Sequence, residues 1–217
     1  MFRQVQRRHP TQKRGKRRVE AILVAAAEVF AEEGFDGATM DDIATRADSS
    51  VGSIYQFFDN KPALFAAVAD RSFAGTGELF DGLLTEDLLS SGWRAVIETF
   101  LDRFLQFERS DVFVRATYAN LHMYGAFEAT DRAMSEELRR RTTEVLGLLA
   151  GHLSAAKRKR IAATTVNITT AFLFFSRLES PREARRLLEE TKLALVRYLE
   201  PYIEPAPTPA RDPRTRR

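Results

Sequence analysis

The chain has 217 residues, 44% hydrophobic, with no cysteine and three histidines (His9, His122, His152). It can bury one large or two small cores, while disulfides, thiol catalysis and thiolate metal sites are excluded and three scattered histidines suggest no metal centre. Residues 1–18 hold eight Lys/Arg and no Asp or Glu, so within a net charge of +3 the remainder carries −5; a basic arm on an acidic body is either a polyanion-binding end or a solvated tail.

Residues 1–16 lack apolar periodicity and are expected to form a disordered basic arm. From Val19 the pattern changes: Val19, Ile22, Leu23, Ala26, Val29 and Phe30 follow helical spacing. Gly34 is a C-terminal stop, and Asp36-Gly37 make a turn. Thr39 opens a short second helix, with Asp42 placed as its capping-box partner. Asp48-Ser49 form the next turn, and Ser50 caps a third helix running to about Phe57. Asn60 caps a fourth, with Pro62 tolerated in its first turn.

Beyond residue 62 nearly everything reads as helix. Ser91 is placed to cap a fifth and Ser110 a sixth. A seventh spans about 130–152 and an eighth 155–179. Ser180-Pro181-x-Glu183 is a helix-start signature for a ninth, 181–203. Four prolines and several arginines mark 204–217 as a disordered tail. The fold class is all-α, about nine helices, with no persuasive strand pattern and no internal repeat. No run of about 18 apolar residues occurs, so no transmembrane helix is expected.

The stretch 39–61, TMDDIATRADSSVGSIYQFFDNK, has the order of a helix-turn-helix. Such a motif inserts its second helix into the major groove, with N-terminal residues reaching base edges and phosphates. The helix start Ser50, Val51, Gly52, Ser53 is small enough for close approach. Gly52 costs about 1 kcal/mol against Ala inside a helix, which close contact with a DNA backbone would explain. Ser50 and Ser53 can hydrogen-bond phosphate or base, Val51 can meet a thymine methyl, Tyr55 can reach a phosphate, and Gln56 can pair with adenine. Thr39 and Lys61 sit at helix starts suited to phosphate. Singly, each of these residues is also a plain cap or core residue; the ordered set is what points to DNA. Arg17 and Arg18, just before the apolar stripe, can clamp phosphates or enter a minor groove.

Residues 19–66 resemble the N-terminal domain of the tetracycline-repressor (TetR) family of bacterial transcription regulators, through ILVAAAEVFAEEGFDGATMDDIA and GSIYQFFDNKPALF. The resemblance implies about nine helices, a homodimer on a palindromic operator, repression in most cases, and release by a small molecule held in the C-terminal body. It carries phosphate contact onto Thr39 and Lys61, and recognition-helix contacts onto Ser50, Val51, Gly52, Ser53, Tyr55, Gln56 and Phe57. The chain departs from the family pattern in three places. Asp48-Ser49 replace the usual Gly and apolar residue of the turn, though Asp can adopt a left-handed conformation. Phe57 stands where His or Tyr is common and cannot donate a hydrogen bond. Val51 stands where a polar residue is common.

In the C-terminal body, residues 90–127 are rich in aromatics. They form either a plain helical core or the lining of an apolar pocket with a few polar groups. The candidates for ligand contact are Trp93, Phe100, Phe104, Phe107, Tyr118, His122, Phe127 and Asn167. The last two helices suit an intermolecular four-helix bundle, with Phe172, Phe175, Leu188, Leu195 and Tyr198 as candidate dimer contacts; the segment 171–175 is apolar nearly all round, so it must be buried on more than one side.

The expected organisation is a basic arm (1–16), a helix-turn-helix DNA-binding domain (17–62), a ligand-binding and dimerisation domain (63–203) and a tail (204–217). The expected protein is a cytoplasmic, ligand-responsive regulator, most simply a homodimeric repressor of a palindromic double-stranded DNA operator, released by a small, largely apolar effector. No cofactor, metal or membrane partner is expected. An enzyme is disfavoured because no nucleophile–base pattern, Gly-rich phosphate loop or metal spacing is present. The remaining alternative is a helical ligand carrier or protein-interaction module without specific DNA binding.

Overall fold

The computed structural model describes residues 13–83 and 85–204; most of the basic arm and all but Glu204 of the tail lie outside these. Among the described residues ten α-helices follow in order: α1 (Lys13–Gly37), α2 (Met40–Arg46), α3 (Val51–Tyr55), α4 (Lys61–Leu83), α5 (Glu86–Ser90), α6 (Trp93–Ser110), α7 (Val112–Ala119), α8 (Glu128–Leu149), α9 (Ala155–Ser176) and α10 (Pro181–Ile203). A 3₁₀ segment, Leu121–Ala126, joins α7 to α8. No strand occurs among the described residues. The elements beyond the expected nine are α5 and the 3₁₀ segment, each too short to leave a periodic apolar signature.

The first helix begins at Lys13, so residues 13–16, expected in the arm, are its first turn. Its stripe is buried as the spacing requires: Val19, Ile22, Leu23, Ala26, Val29 and Phe30 all face the core. The break falls at Gly34, whose φ of 74° and ψ of 168° leave the helical region. Only glycine holds that conformation without strain. Thr39 and Asp42 form the reciprocal capping box at α2. Asp48 takes the left-handed turn conformation, φ 46°. Ser50 caps α3, accepting from Ser53 N at 3.2 Å. Asn60 Oδ1 accepts from Ala63 N at 2.8 Å at the head of α4. Ser180 caps α10 from Glu183 N at 3.2 Å.

Two expected caps are corrected. Gly92, φ 96°, precedes α6 without a side-chain cap, while Ser91 Oγ donates back to Asp87 O at 2.9 Å and closes α5. Asp111 caps α7, accepting from Val114 N at 2.9 Å, and Ser110 Oγ donates to Phe107 O at 3.2 Å. In both cases the serine bonds backward to a carbonyl of the preceding helix, the competing local option for this side chain.

The chain divides into two compact units, 1–137 and 138–217, with the division inside α8. The helix-turn-helix elements therefore share a packing unit with α4, α6 and α7, and the 62/63 boundary does not mark a break in packing. In the first unit α1 lies against α2, α4 and α7. Its core is ring-rich: Phe30, Phe35 and Phe65 meet at centroid distances of 5.2–5.8 Å, and Phe127 touches Phe65 and Phe73 at 6.1 Å. In the second unit α9 and α10 pack antiparallel, Lys157 near one end of α9 lying 4.8 Å over the Tyr202 ring near the far end of α10. Across the described residues, no helix is long and apolar enough to cross a membrane.

Candidate nucleic-acid interface

Helix α3 is one and a half turns long, and its two faces differ sharply. Ile54, Phe57 and Phe58 are buried in the first unit's core, and Ser53 is 5% exposed. Ser50, Gly52, Tyr55 and Gln56 point outward, with Tyr55 42% exposed, and Val51 is half-buried against the core. The helix ends at Tyr55 rather than Phe57, because Phe57 N and Phe58 N both turn back to Ile54 O at 2.9 Å. Of the expected contact residues, Ser53 and Phe57 are the two that lie buried, with little surface exposed.

Gly52 is open: a Cβ built there meets nothing within 4 Å. Packing inside the chain does not require a glycine at this helical position. Thr39 is exposed, and its hydroxyl is engaged in the capping box, accepting from Asp42 N at 3.1 Å and donating to Asp42 Oδ2. A phosphate at this site would take over that hydroxyl proton.

Lys61 departs from expectation. It is half-buried, and its ammonium donates to Phe35 O at 2.7 Å and Ala38 O at 2.8 Å. The same nitrogen lies 4.6 Å over the Phe35 ring. Two of its three N–H donors are thus spent on carbonyls at the end of α1, so the side chain fastens α4 to the α1–α2 linker. The signal for this was absent from local sequence, since the partners lie 23 and 26 residues away.

At the other edge of the motif, Arg17 and Arg18 are exposed on α1. Arg18 Nη2 donates to Ser49 Oγ at 3.4 Å, reaching the turn before α3. Arg46, at the end of α2, pairs with Glu32 (2.8 Å) and Glu28 (3.4 Å) of α1. The Arg46 guanidinium holds the Glu32 carboxyl below its ordinary value, chiefly by hydrogen bonding, and the carboxylates raise Arg46 in turn. These ion pairs lay the end of α2 along α1 and were not foreseen.

Asn120 is fully buried at the C-terminal end of α7. Its Nδ2 donates to Phe30 O at 3.0 Å and Ala116 O at 2.8 Å, and its Oδ1 accepts from Phe35 N at 2.5 Å. Next to it, His122 is exposed and stands 3.6 Å from Asp36 Oδ2.

The candidate ligand residues do not form one group. Phe100, Phe104 and Phe107 line α6 and continue a ring series from Phe80 of α4, at centroid distances of 5.4, 5.7 and 6.3 Å. Phe107 lies close over Gly75, where any Cβ would sit 3.1 Å from its ring. Trp93 is buried at the start of α6, with the Arg94 guanidinium 4.3 Å over its ring, and Tyr118 is half-buried on α7. His122 and Phe127 lie outside the α4–α6 series, and Asn167 belongs to the second unit. His122 is exposed beside Asp36, Phe127 belongs to the core beneath α1 and α4, and Asn167 is exposed on α9 of the second unit, accepting from Arg139 Nη2 at 3.2 Å. Glu108, buried on α6, is a further polar group that sequence spacing did not single out.

Within the second unit Phe172, Leu188 and Leu195 are buried inside the chain itself and Tyr198 is half-buried. Of the nominated dimer contacts Phe175 alone is well exposed, at 58%; it is accompanied by Phe174, Leu178, Leu187 and Leu193 as large exposed apolar side chains. No group of three or more His, Cys, Asp or Glu positioned for a metal occurs among the described residues.

Comparison with known proteins agrees with this architecture. The family model described as bacterial regulatory proteins, tetR family, matches residues 22–68, and the tetracyclin repressor-like C-terminal domain matches 92–199. The HTH-type transcriptional repressor NicS of Pseudomonas putida is 29% identical over 159 residues, 72% of this chain and 71% of that protein. A TetR-family transcriptional regulator from Streptomyces coelicolor superposes with a TM-score of 0.59 at 25% identity, covering 85% of this chain and 99% of that one. A structure of SmeT in complex with triclosan shares the fold at a TM-score of 0.64 and 20% identity, covering 89% of this chain and 99% of that one. The matched relatives are transcriptional regulators and not enzymes. With an N-terminal helix-turn-helix of the right order and a matching helical body, the chain belongs to the TetR family of transcriptional regulators.

Proposed function

We propose that this protein is a homodimeric, ligand-responsive repressor that reads a palindromic DNA operator with the exposed face of α3 and is released by a small, largely apolar effector. The observation that carries the reading is Gly52. An exposed helical position with open space around it gains up to about 1 kcal/mol from Ala over Gly, which favours a role for this glycine outside the chain. A duplex backbone pressed against the helix start is that partner.

On this reading Ser50 and Tyr55 bond phosphates, Gln56 reads adenine, and the outer part of Val51 meets a thymine methyl. Thr39, with the N–H groups at its helix start, takes a phosphate on the other side of the motif. Arg17 and Arg18 supply cationic contacts that release counterions and make binding steeply salt-dependent. Lys61 contributes by holding its helix in place, with one N–H donor left over. The domain assignment that follows is DNA reading by 17–62 and effector binding and dimerisation by 63–203.

For the effector, the α4–α6 rings Phe80, Phe100, Phe104 and Phe107 offer contact to a small, largely apolar molecule, with Trp93 and Tyr118 as further candidates. For the dimer, the exposed apolar side chains of α9 and α10, Phe174, Phe175, Leu178, Leu187 and Leu193, are the surface to be covered by a second copy, with Tyr198 at its margin. The two-fold of such a pair matches operator symmetry, half-sites lying about one helical turn apart. Repression is supported by the similarity to NicS, a transcriptional repressor. The protein works where its operator is, in the cytoplasm, without a membrane partner.

The test is selection of duplexes from a random pool by the purified protein, followed by footprinting. A palindromic sequence with half-sites one turn apart, protected by a dimer, is the expected result. Enrichment of no sequence over random competitor refutes the reading and leaves a ligand carrier or interaction module.

A further inference from the structure

Residues 34–39, the end of α1 after its break together with the two residues before α2, are gripped from two sides. Where α1 breaks at Gly34, the Phe35 N–H loses the carbonyl four residues back and needs another acceptor. Asn120 supplies it at 2.5 Å, while its Nδ2 joins Phe30 O of α1 to Ala116 O of α7. A carboxamide is the side chain that offers one acceptor and two donors within that span. From the other side Lys61 of α4 holds Phe35 O and Ala38 O. The next residue along, Thr39, is the N-cap of α2. The path from α7 to the start of the DNA-reading pair is thus one side chain and four residues of backbone. Asn120 is 0% exposed, so its bonds are unscreened and leaving any of them unmade is costly.

We infer that Asn120 is a positioning residue that ties the orientation of α2–α3 to α7 and the 3₁₀ segment after it, giving the helical body a second line to the DNA-reading helices besides α4. This rests on the DNA-binding reading above. A shift of α7 by a fraction of an ångström must either carry Phe35 and the head of α2 with it or break the Asn120 bonds. By reciprocity, a duplex that fixes α2–α3 stabilises α7 and the 3₁₀ segment by the same free energy.

The experiment is hydrogen–deuterium exchange on the full chain, alone and saturated with the duplex that the wild-type protein selects from a random pool. The segment read is 113–127, which offers no side chain to the proposed interface. Wild type is expected to gain protection across 113–127 on binding the duplex. Asn120→Ser keeps a hydroxyl that can bond Ala116 O but cannot reach α1. It is expected to bind the duplex about tenfold more weakly, within ordinary coupling energies, and at saturation to show no protection of 113–127. Ala119→Ser, at the exposed neighbouring position of α7, is expected to retain it. A merely structural role for Asn120 would raise exchange with and without DNA and leave the duplex-induced difference intact, which overturns the inference. Wild-type binding without protection of 113–127 overturns it as well and needs no folded variant. A chain that selects no duplex overturns the DNA reading and the inference together, so the two failures are told apart.

Discussion

Lys61 closes the end of the first helix through Phe35: its ammonium donates to the Phe35 carbonyl at 2.7 Å and stands 4.6 Å over the same residue's ring. One cation thereby answers two demands, an unpaired carbonyl at a helix end and a π face beside it. Replacement by methionine keeps the stem and deletes both hydrogen bonds. Lys61→Met is expected to lower unfolding free energy by about 1–3 kcal/mol, measured by urea denaturation. Because the charge faces inward, the slope of log affinity against log salt should stay near wild type. Arg17→Ala, in contrast, should flatten that slope by about 0.9. An equal flattening in Lys61→Met would restore a direct phosphate contact to Lys61.

Gly52 separates stability from binding. Gly52→Ala meets no neighbour and is expected to stabilise the fold by up to about 1 kcal/mol while weakening duplex binding. Thermal melting and fluorescence anisotropy on the same sample check both signs. A tighter-binding Gly52→Ala would mean the backbone is not in close contact with DNA.

Tyr55 and Phe57 lie two residues apart on opposite sides of the motif. Phe57→Ala opens the core and should cost about 3–5 kcal/mol. Tyr55→Ala should change stability by no more than about 0.5 kcal/mol yet reduce duplex affinity. Finding the reverse pattern would mean that the outward face of α3 has been misidentified.

The same contrast applies to the last two helices. Phe175→Asp places a charge on an exposed apolar surface and is expected to convert dimer to monomer in analytical ultracentrifugation with the fold retained. Leu195→Ala, inside the chain, is expected to cost about 2–5 kcal/mol in stability without that conversion. A Phe175→Asp protein that stays dimeric moves the interface elsewhere.

Arg46 gives a pH signature. The Glu32 carboxyl is held below its ordinary value by Arg46. Stability from the pair is therefore present above the unfolded carboxyl pKa and lost as pH falls through the depressed folded value. Arg46→Met is expected to be less stable than wild type near neutrality, with the gap closing at acid pH and shrinking in high salt because both groups are exposed. Stability curves taken across the acid range, at low and high salt, measure it.

What could be read from sequence follows from range. The α1 stripe, the Thr39–Asp42 box, the Asp48 turn and the Ser50, Asn60 and Ser180 caps depend on local spacing, and all are present; Gly34 breaks the first helix without ending it, and Asp36-Gly37, expected as a turn, stay helical. The misplaced caps at Ser91 and Ser110 are local too, but there a serine had two neighbouring options and the backward bond won. The five-residue α5 and the 3₁₀ segment were too short to show a period.

The site was half legible. That Ser50 to Ser53 forms a small-residue helix start was set by the chain's own order of residues. Which of them look outward was decided by packing: a helix this short shows no period, and the core claimed Ser53, Ile54 and Phe57. The turning of Lys61 onto Phe35 and Ala38, and the spanning of α7 and α1 by Asn120, belong to tertiary structure alone. Their partners are backbone atoms 23 to 90 residues away. A backbone carbonyl or N–H left over at a helix break carries no side-chain label, so no pattern of residue types announces which distant side chain will satisfy it.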